Sequence, residues 1–336
     1  MLLLVTGACS DSGDSGDADG SPSNGSPGCG QAAPDAATDA VVVLEHAGLD
    51  REYVVHLPER YRPDEPAPLI FNLHGFGGDI ASQDASTALP VEAGSRGYIV
   101  VTPQGAPLSV PDDAPQAAEA AQYEGFAFWN FFGSQGLDFG GTPPPGLEGV
   151  DPDDLGTDDV GFLDAVLDTM LAEHCVDPDR VFATGMSNGA GMSTTIGCEL
   201  GDRIRAIGPV AGVNLSGACP GDAPVSVLAI HGDADSTAAY DGNLLLGFEL
   251  GNPSVPERMA AWAAHDGCDA QPTLDDDTAG VVINRWSDCR DGTAVELWTL
   301  SGGGHTWPRG PGGDEPAPID ATDVVLDFFD EAAALT

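Results

Sequence analysis

One serine in this chain has the neighbours that nucleophilic chemistry requires. The segment GMSNG at 185–189 matches the pattern G-x-S-x-G, in which a tight turn from strand to helix exposes the serine hydroxyl. The apolar, β-branched run at 180–184 predicts a buried strand before the turn, and the small residues at 188–196 predict a closely packed helix after it. The start of that helix would direct N–H groups and a positive dipole end at a developing oxyanion. We therefore predict that Ser187 is a nucleophile.

A serine nucleophile needs a histidine base and an acid that orients the base. Among the seven histidines, His305 follows an apolar run in the flexible turn GGGHTWP at 302–308. With this kind of serine turn, the acid lies between serine and histidine in the chain. The segment LAIHGDAD at 228–235 ends a predicted strand with two aspartates. We predict Asp235 as the acid because Asp233 lies closer to the strand end, and Asp233 is the alternative.

The remaining parts of a site are predicted from the residues around this serine. The main-chain N–H of Asn188 follows the nucleophile directly, and the N–H of Phe76 lies in the loop after the apolar strand 69–73. We expect these two groups to form the oxyanion hole. We also expect flat or flexible apolar side chains to contact the substrate, namely those of Trp129, Trp307 and Met186.

Composition limits the partners that the chain can have. Its 336 residues include 54 acidic and 11 basic ones, which gives a net charge of −43. Such a field repels nucleic acid and anionic membrane surfaces, so neither is expected as a partner. No cysteine and histidine cluster has zinc-ligand spacing, and no glycine motif convincingly predicts a nucleotide site. We therefore expect no metal and no cofactor. We also expect a monomer.

Apolar runs that alternate with helical segments predict the fold class. After a predicted β-hairpin at 41–46 and 52–57, the pattern is that of an α/β protein with a mostly parallel sheet and helices on both faces. One catalytic domain over 41–336 accounts for the whole pattern. The segment 104–157 interrupts it with many Pro, Gly and Asp residues and a group of aromatic ones. We expect the middle of this insertion to pack down and to line the entrance of the site.

The N-terminal segment predicts export. Residues 1–9 are mostly apolar and end in VTGAC, which resembles the lipobox of bacterial lipoproteins, with Cys9 as the lipidated residue. No basic segment precedes the apolar run, so this interpretation requires a start upstream of Met1. Residues 10–40 are rich in Ser, Asp, Gly and Pro and predict a disordered tether. The chain would then be secreted or a cell-surface lipoprotein, in contact with a membrane only through Cys9.

Cysteine usage agrees with export. Apart from Cys9, an even number of cysteines remains, which suits three disulfides in an oxidising compartment. The sequence alone does not choose among the possible pairings. Two pairs are favoured because each brackets one local segment, and they leave a third pair by exclusion. The favoured pairs are Cys268 with Cys289 and Cys198 with Cys219, and the remaining pair is Cys29 with Cys175.

Several motifs in the same order resemble those of one enzyme family. They are LHGFGG at 73–78, DDVGFL at 158–163, VDPDRV at 176–181, GMSNGAG at 185–191, LAIHGDAD at 228–235 and GGGHTWP at 302–308. Over about residues 41–335 the chain resembles the secreted polyhydroxybutyrate depolymerase and feruloyl esterase family of α/β-hydrolases. The resemblance implies an α/β-hydrolase fold and hydrolysis of carboxylic esters with Ser187, Asp235 and His305 as the catalytic triad.

The sequence leaves several functions open. The leading hypothesis is a serine esterase that forms an acyl-enzyme and acts on a polyhydroxybutyrate-type polyester or its oligomers, because the insertion has many aromatic residues and few Asn and Gln. A feruloyl or acetylxylan esterase is the alternative, and acyl transfer to an alcohol is a related reaction. From another class, the chain would be a binding lipoprotein without catalysis. Ser187, Asp235, His305 and the glycines of the turn around Ser187 are all present, which argues against that last interpretation.

Overall fold

A ten-stranded mixed sheet carries the fold. The computed structural model describes residues 25–31, 39–107, 125–131, 157–213, 219, 221–242, 244–245, 248–249, 253–276, 280–310 and 317–334. Its strands are β1 (Val41–His46), β2 (Leu49–His56), β3 (Ala67–Leu73), β4 (Ile99–Pro103), β5 (Ala106–Pro107), β6 (Ala127–Phe128), β7 (Val176–Met186), β8 (Ala206–Val210), β9 (Ser226–Gly232), β10 (Leu244–Leu245), β11 (Phe248–Glu249), β12 (Thr273–Asp276), β13 (Val281–Trp286) and β14 (Val295–Leu300). Its helices are α1 (Ile80–Thr87), α2 (Leu89–Ser95), α3 (Asp159–Glu173), α4 (Asn188–Glu199), α5 (Val255–His265) and α6 (Ala321–Ala333).

The centre of the sheet is parallel and its two edges are antiparallel. The strand order is β1-β2-β4-β3-β7-β8-β9-β14-β13-β12, and every pair from β4 to β14 is parallel. Strands β3, β4, β8 and β9 are buried along their whole length, which explains why they read as continuous apolar runs. The predicted α/β class with a mostly parallel sheet is confirmed. Strand β12 was not predicted, because its sequence TLDD is polar and resembles a loop.

Helices cover both faces of the sheet and bury a separate apolar cluster on each. Helices α3, α4 and α5 pack on one face, and α2 and α6 pack on the other. Successive strand residues alternate between the two clusters, as Phe71 and Ile70 do in β3. On the α6 face the rings of Phe182 and Phe329 stack with centroids 4.7 Å apart. The central strands are therefore fixed from both sides, which sets the positions of the loops at their carboxyl ends.

All six cysteines in the described part of the chain form disulfides. The pairs are Cys29–Cys175, Cys198–Cys219 and Cys268–Cys289. The two favoured pairings and the third that they leave are therefore confirmed.

Part of the N-terminal segment that was predicted to be a disordered tether packs on the domain. The main-chain N–H of Ser26 donates to the carbonyl of Val176 at 2.9 Å, and its hydroxyl donates to the carbonyl of His174 at 2.7 Å. The prediction of a disordered tether over 10–40 is therefore wrong for residues 25–31, which pack on the domain beside the first disulfide. Cys9 and the rest of the N-terminal segment, 1–24 and 32–38, lie outside the described residues. Within the described ranges, no helix is both long enough and apolar enough to cross a membrane.

Self-repulsion of the acidic surface should make stability rise with salt. The net charge is −43 and all 11 basic residues are arginine. Raising sodium chloride from about 0.01 M to about 1 M shortens the Debye length from about 30 Å to about 3 Å, which screens most repulsion between surface carboxylates. The melting temperature, followed by circular dichroism, is expected to rise over this range. Sucrose at matched osmolality controls for solvent exclusion, and a flat or falling melting temperature in sodium chloride would contradict the expectation.

Candidate active site

Ser187 occupies a strained turn between β7 and α4. Its backbone has φ 56° and ψ −117°, a conformation that non-glycine residues rarely adopt. The flanking glycines are required by close main-chain approach, because a Cβ on Gly185 or Gly189 would lie within 2.6 Å of the carbonyl oxygen of Leu73 at the end of β3. The chain therefore makes the predicted elbow and holds the Ser187 hydroxyl at the carboxyl end of the central strand.

The structure brings Ser187, His305 and Asp235 into one hydrogen-bonded row. His305 Nε2 lies 2.8 Å from Ser187 Oγ, and His305 Nδ1 lies 2.7 Å from Asp235 Oδ2. These residues follow β7, β14 and β9, strands whose carboxyl ends meet at the same edge of the sheet. A carboxylate at Nδ1 assigns the hydrogen to that nitrogen, so Nε2 is free to accept the serine proton. The His305 imidazole is 18% exposed, so it can exchange a proton with a bound substrate. The Asp235 carboxylate is fully buried.

Asp235 is held as a carboxylate by its surroundings. Burial raises the pKa of its carboxyl, but hydrogen bonds from His231, His305 and the N–H groups of Ala238 and Thr237 outweigh burial and hold the pKa well below its usual range. Oδ1 accepts the two N–H groups at 2.8 and 2.9 Å.

Asp233, the alternative acid, has another position. It is exposed, and its Oδ1 accepts the N–H of Gly302 at 2.6 Å. It therefore fastens the turn that carries His305 without contacting the imidazole in this structure.

The predicted oxyanion donors belong to two segments that adjoin Ser187. The N–H of Asn188 is the first in α4 and has no acceptor within the helix. A Cβ on Gly75 would lie 3.5 Å from the Cβ of Ser187, so the loop that contains Phe76 runs directly against the nucleophile. The N–H of Gly77 donates to the carbonyl of Ala127 at 2.8 Å and fixes this loop. The assignment of the two N–H groups as oxyanion donors stays a prediction.

His74 supports the same loop, although no sequence pattern singled it out. Its imidazole is buried, with Nδ1 donating to the carbonyl of Gly75 at 2.8 Å and Nε2 accepting the N–H of Gly105 at 2.9 Å. Burial lowers the pKa of the imidazole, which favours the neutral form that these bonds need. A signal was available only in the position of His74, directly after β3 and before the glycines of the loop.

Trp129 is buried and does not face a substrate. It has no exposed surface, and its indole N–H donates to the carbonyl of His74 at 3.0 Å. The Asn188 side chain holds the Trp129 backbone in both directions, accepting its N–H at 2.8 Å and donating to its carbonyl at 2.9 Å. The predicted substrate contact of Trp129 is therefore wrong. Its contacts instead join the insertion to α4 and to the loop 74–79 after β3, which we call the oxyanion loop for its predicted role.

Trp307 is also buried, with 6% of its surface exposed, and its indole N–H donates to Thr322 Oγ1 at 3.0 Å. Its predicted substrate contact is wrong as well, because the apolar cluster beneath α6 encloses the ring. Met186 is half-buried against the same cluster, and its contact with a substrate stays a prediction.

Phenylalanines, rather than tryptophans, provide aromatic surface beside the oxyanion loop. The aromatic cluster consists of Phe76, Phe126, Phe128 and Phe131. Ring centroids lie 5.9 Å apart between Phe76 and Phe126, 6.1 Å between Phe76 and Phe128, and 6.4 Å between Phe128 and Phe131. Phe126 is 45% exposed. The prediction that the middle of the insertion packs down therefore holds for residues 125–131. Phe132, Phe139 and most other residues of 104–157 lie outside the described part.

A cavity of about 230 Å³ adjoins the turn that carries His305. Its lining comes from the carboxyl ends of β8, β9 and β14 and from both neighbours of His305, Gly304 and Thr306. Among the residues that the structure describes, no group of three or more His, Cys, Asp or Glu side chains has an arrangement that could hold a metal ion.

Several proteins with sequences similar to this chain are named feruloyl esterases. No family model matches it. Feruloyl esterase D of Neurospora crassa is 28% identical over 297 residues, which are 87% of this chain and 86% of that protein. Feruloyl esterase B of Piromyces equi is 29% identical over 263 residues, and the match spans 76% of this chain but only 42% of that protein. Among solved structures, an acetyl xylan esterase from Aspergillus awamori matches with a TM-score of 0.53 and 14% identity, over 87% of this chain and 99% of that one.

These similarities define the class of the protein. The chain has the α/β-hydrolase fold, which the solved structure shares over almost its whole length. It is a carboxylic ester hydrolase, related in sequence to feruloyl esterases that it matches over most of both chains.

Proposed function

We propose that the protein is an extracellular serine esterase that hydrolyses feruloyl esters through an acyl-enzyme. The observation that carries the proposal is the row Ser187, His305 and Asp235, with 2.8 Å between His305 Nε2 and Ser187 Oγ. The relatives named feruloyl esterases, matched over most of this chain, support the substrate class.

Each group of this row has a role in the proposed reaction. Ser187 Oγ attacks the ester carbonyl while its proton passes to His305 Nε2, and the carbonyl electrons move onto the oxygen. The N–H groups of Phe76 and Asn188 would bind that oxyanion. When the tetrahedral intermediate collapses, the alcohol leaves with the proton from His305. Water then repeats the sequence on the acyl-enzyme and releases the acid. Asp235 stays ionised throughout and stabilises the imidazolium.

The aromatic cluster supports a feruloyl group over an aliphatic polyester. The polyester hypothesis was based on the many aromatic residues and the few Asn and Gln residues of the insertion. Trp129 of the insertion is buried, as is Trp307 beside His305, so neither ring offers a flat wall to a polyester chain. Phe126, in contrast, is 45% exposed and contacts the ring of Phe76 on the oxyanion loop. An aromatic acyl group bound to Ser187 could stack there, which an aliphatic acyl group cannot do.

Three disulfides support the extracellular part of the proposal, because such bonds persist in oxidising compartments and are rare in the cytosol. A lipid on Cys9 would keep the enzyme at the cell surface. The mass of the mature protein tests this anchor, since diacylglycerol and acyl groups on a new N-terminal Cys9 would be visible directly.

A parallel assay tests the substrate. Methyl ferulate, 3-hydroxybutyrate oligomers and acetylated xylan are compared, each normalised to p-nitrophenyl butyrate. We expect kcat/KM for methyl ferulate to exceed that for the oligomers by about tenfold or more, which is about 1.4 kcal/mol of transition-state preference. If kcat/KM for the oligomers instead exceeded that for methyl ferulate by about tenfold, the result would favour the polyester hypothesis. No turnover of any ester would favour a non-catalytic binding protein.

A variant pair connects this preference to the aromatic cluster. Phe126→Ala should lower kcat/KM for methyl ferulate by about tenfold and leave p-nitrophenyl acetate almost unchanged, because only the larger acyl group reaches the ring. Leu274→Ala, which truncates an exposed apolar residue on the edge strand β12, is the matched control. Equal losses on both esters in Phe126→Ala would mean that the residue shapes the loop and does not select the substrate.

A further inference from the structure

A second histidine contacts the carboxylate of Asp235. His231 lies in β9 and is buried. Its Nε2 is 2.8 Å from the carbonyl oxygen of Ala238 and 3.3 Å from Asp235 Oδ2. Both neighbours are acceptors, so Nε2 carries the hydrogen and shares it between them. His231 Nδ1 is buried and has no hydrogen-bond partner within the described residues. This environment fits a nitrogen without a hydrogen, because buried N–H groups that lack an acceptor are rare.

Two imidazoles therefore share one carboxylate oxygen. Asp235 Oδ2 accepts from His305 Nδ1 at 2.7 Å and lies within reach of His231 Nε2 on its other side. The ring of Tyr240 packs edge-on against His231 with centroids 5.9 Å apart, and the Tyr240 hydroxyl is held by Thr299 Oγ1 at 2.8 Å. The orientation of His231 is thus fixed by packing as well as by its two acceptors.

We propose that His231 is a positioning residue that fixes the Asp235 carboxylate for His305 and so supports turnover without contacting the substrate. This inference depends on the proposed roles of Asp235 and His305. The N–H groups of Thr237 and Ala238 hold Oδ1, and His231 is the group besides His305 that restrains Oδ2. A second donor on Oδ2 also lowers its basicity, which keeps the transferred proton on His305 while the imidazolium exists.

A purely structural role for His231 would give a different result. The bond to Ala238 closes the turn from Asp235 to Ala238, and its loss alone would lower the melting temperature in every variant that lacks it. A positioning role lowers kcat and leaves KM almost unchanged, because the substrate does not contact Asp235.

The experiment compares His231→Gln with His231→Asn. The Gln amide nitrogen can reach about the position of imidazole Nε2 and donate to Asp235, whereas the Asn amide is too short. We expect His231→Asn to lower kcat on p-nitrophenyl butyrate by about 10- to 100-fold with KM changed by less than about twofold. His231→Gln should retain at least about a third of kcat. His174→Asn is the control, since His174 is also buried with an unpartnered Nδ1 among the described residues but lies beside the first disulfide.

A double-mutant cycle shows whether His231 acts through Asp235. In an Asp235→Asn background, His231→Asn should cost little or nothing more in kcat, because the carboxylate that it positions has been removed. Additive losses in kcat from the two substitutions would overturn the proposal. Equal losses in kcat in His231→Gln and His231→Asn, with the melting temperature unchanged, would also overturn it. The substrate is generic, so the outcome does not depend on feruloyl specificity. A Ser187→Ala sample in the same series shows whether the measured activity belongs to this site at all.

Discussion

Replacing Ser187 with alanine is expected to abolish ester hydrolysis, with a loss in kcat on the order of 10⁶. The hydroxyl oxygen forms the bond to the acyl carbon, and no neighbouring group can replace it at the end of β7. The melting temperature should change little, because the hydroxyl contributes one hydrogen bond, to His305, and alanine keeps the rest of the residue. Initial rates on p-nitrophenyl butyrate and a thermal melt measure both quantities.

Ser193→Ala is the matched control for this prediction. Ser193 lies in the same helix α4 and is buried, but its hydroxyl donates to the carbonyl of Ala190 at 2.8 Å. Its removal should leave kcat almost unchanged. Ser187→Ala with more than a few per cent of wild-type activity in a clean preparation would show that another residue is the nucleophile.

The elements that position Ser187, Asp235 and His305 could be predicted because the signals are local. Each of Ser187, Asp235 and His305 follows an apolar run, and such runs are buried parallel strands whose carboxyl ends converge. The disulfides Cys198–Cys219 and Cys268–Cys289 could also be predicted from local signals, because the two cysteines of each pair are only 21 positions apart in the sequence.

The contacts around the triad could not be predicted because they join distant segments. The Asn188 side chain meets the Trp129 backbone across 59 residues, and no spacing in the sequence indicates that pairing. An aromatic residue in an insertion can face either the core or the solvent, and the bond from the Trp129 indole to the His74 carbonyl favours the core. The edge strand β12 was not predicted, because it pairs with one neighbouring strand and its polar sequence lacks the apolar pattern of the central strands.

Trp129 connects the two predicted oxyanion donors. Asn188 is the predicted donor through its backbone and the partner of Trp129 through its side chain, while Trp129 also holds the His74 carbonyl. The two predicted donors, on α4 and on the loop after β3, are thus held at fixed positions by the same tryptophan. Preorganised donors stabilise an oxyanion without reorganisation, so Trp129 would support the predicted oxyanion hole through its position and not through contact with a substrate.

Asp235→Asn is expected to lower kcat by about 10⁴, less than the loss of the nucleophile. The carbonyl oxygen of the introduced amide should stay at the Oδ1 position, because the N–H groups of Thr237 and Ala238 both need an acceptor there. The NH₂ group of the amide then faces His305 Nδ1 and donates to it, so the hydrogen moves to Nε2. His305 in that form cannot accept the Ser187 proton.

Asp233→Asn separates this effect from a general change in charge. Asp233 is exposed and accepts the Gly302 N–H, a bond that an amide carbonyl preserves, so kcat should stay within about threefold of wild type. Both variants remove one negative charge from neighbouring positions, and both should fold, which a melting curve checks. Rates on p-nitrophenyl butyrate then decide between the two aspartates. If Asp233→Asn lost more activity than Asp235→Asn, Asp233 would be the acid and the 2.7 Å contact between His305 and Asp235 would not be the one used in catalysis.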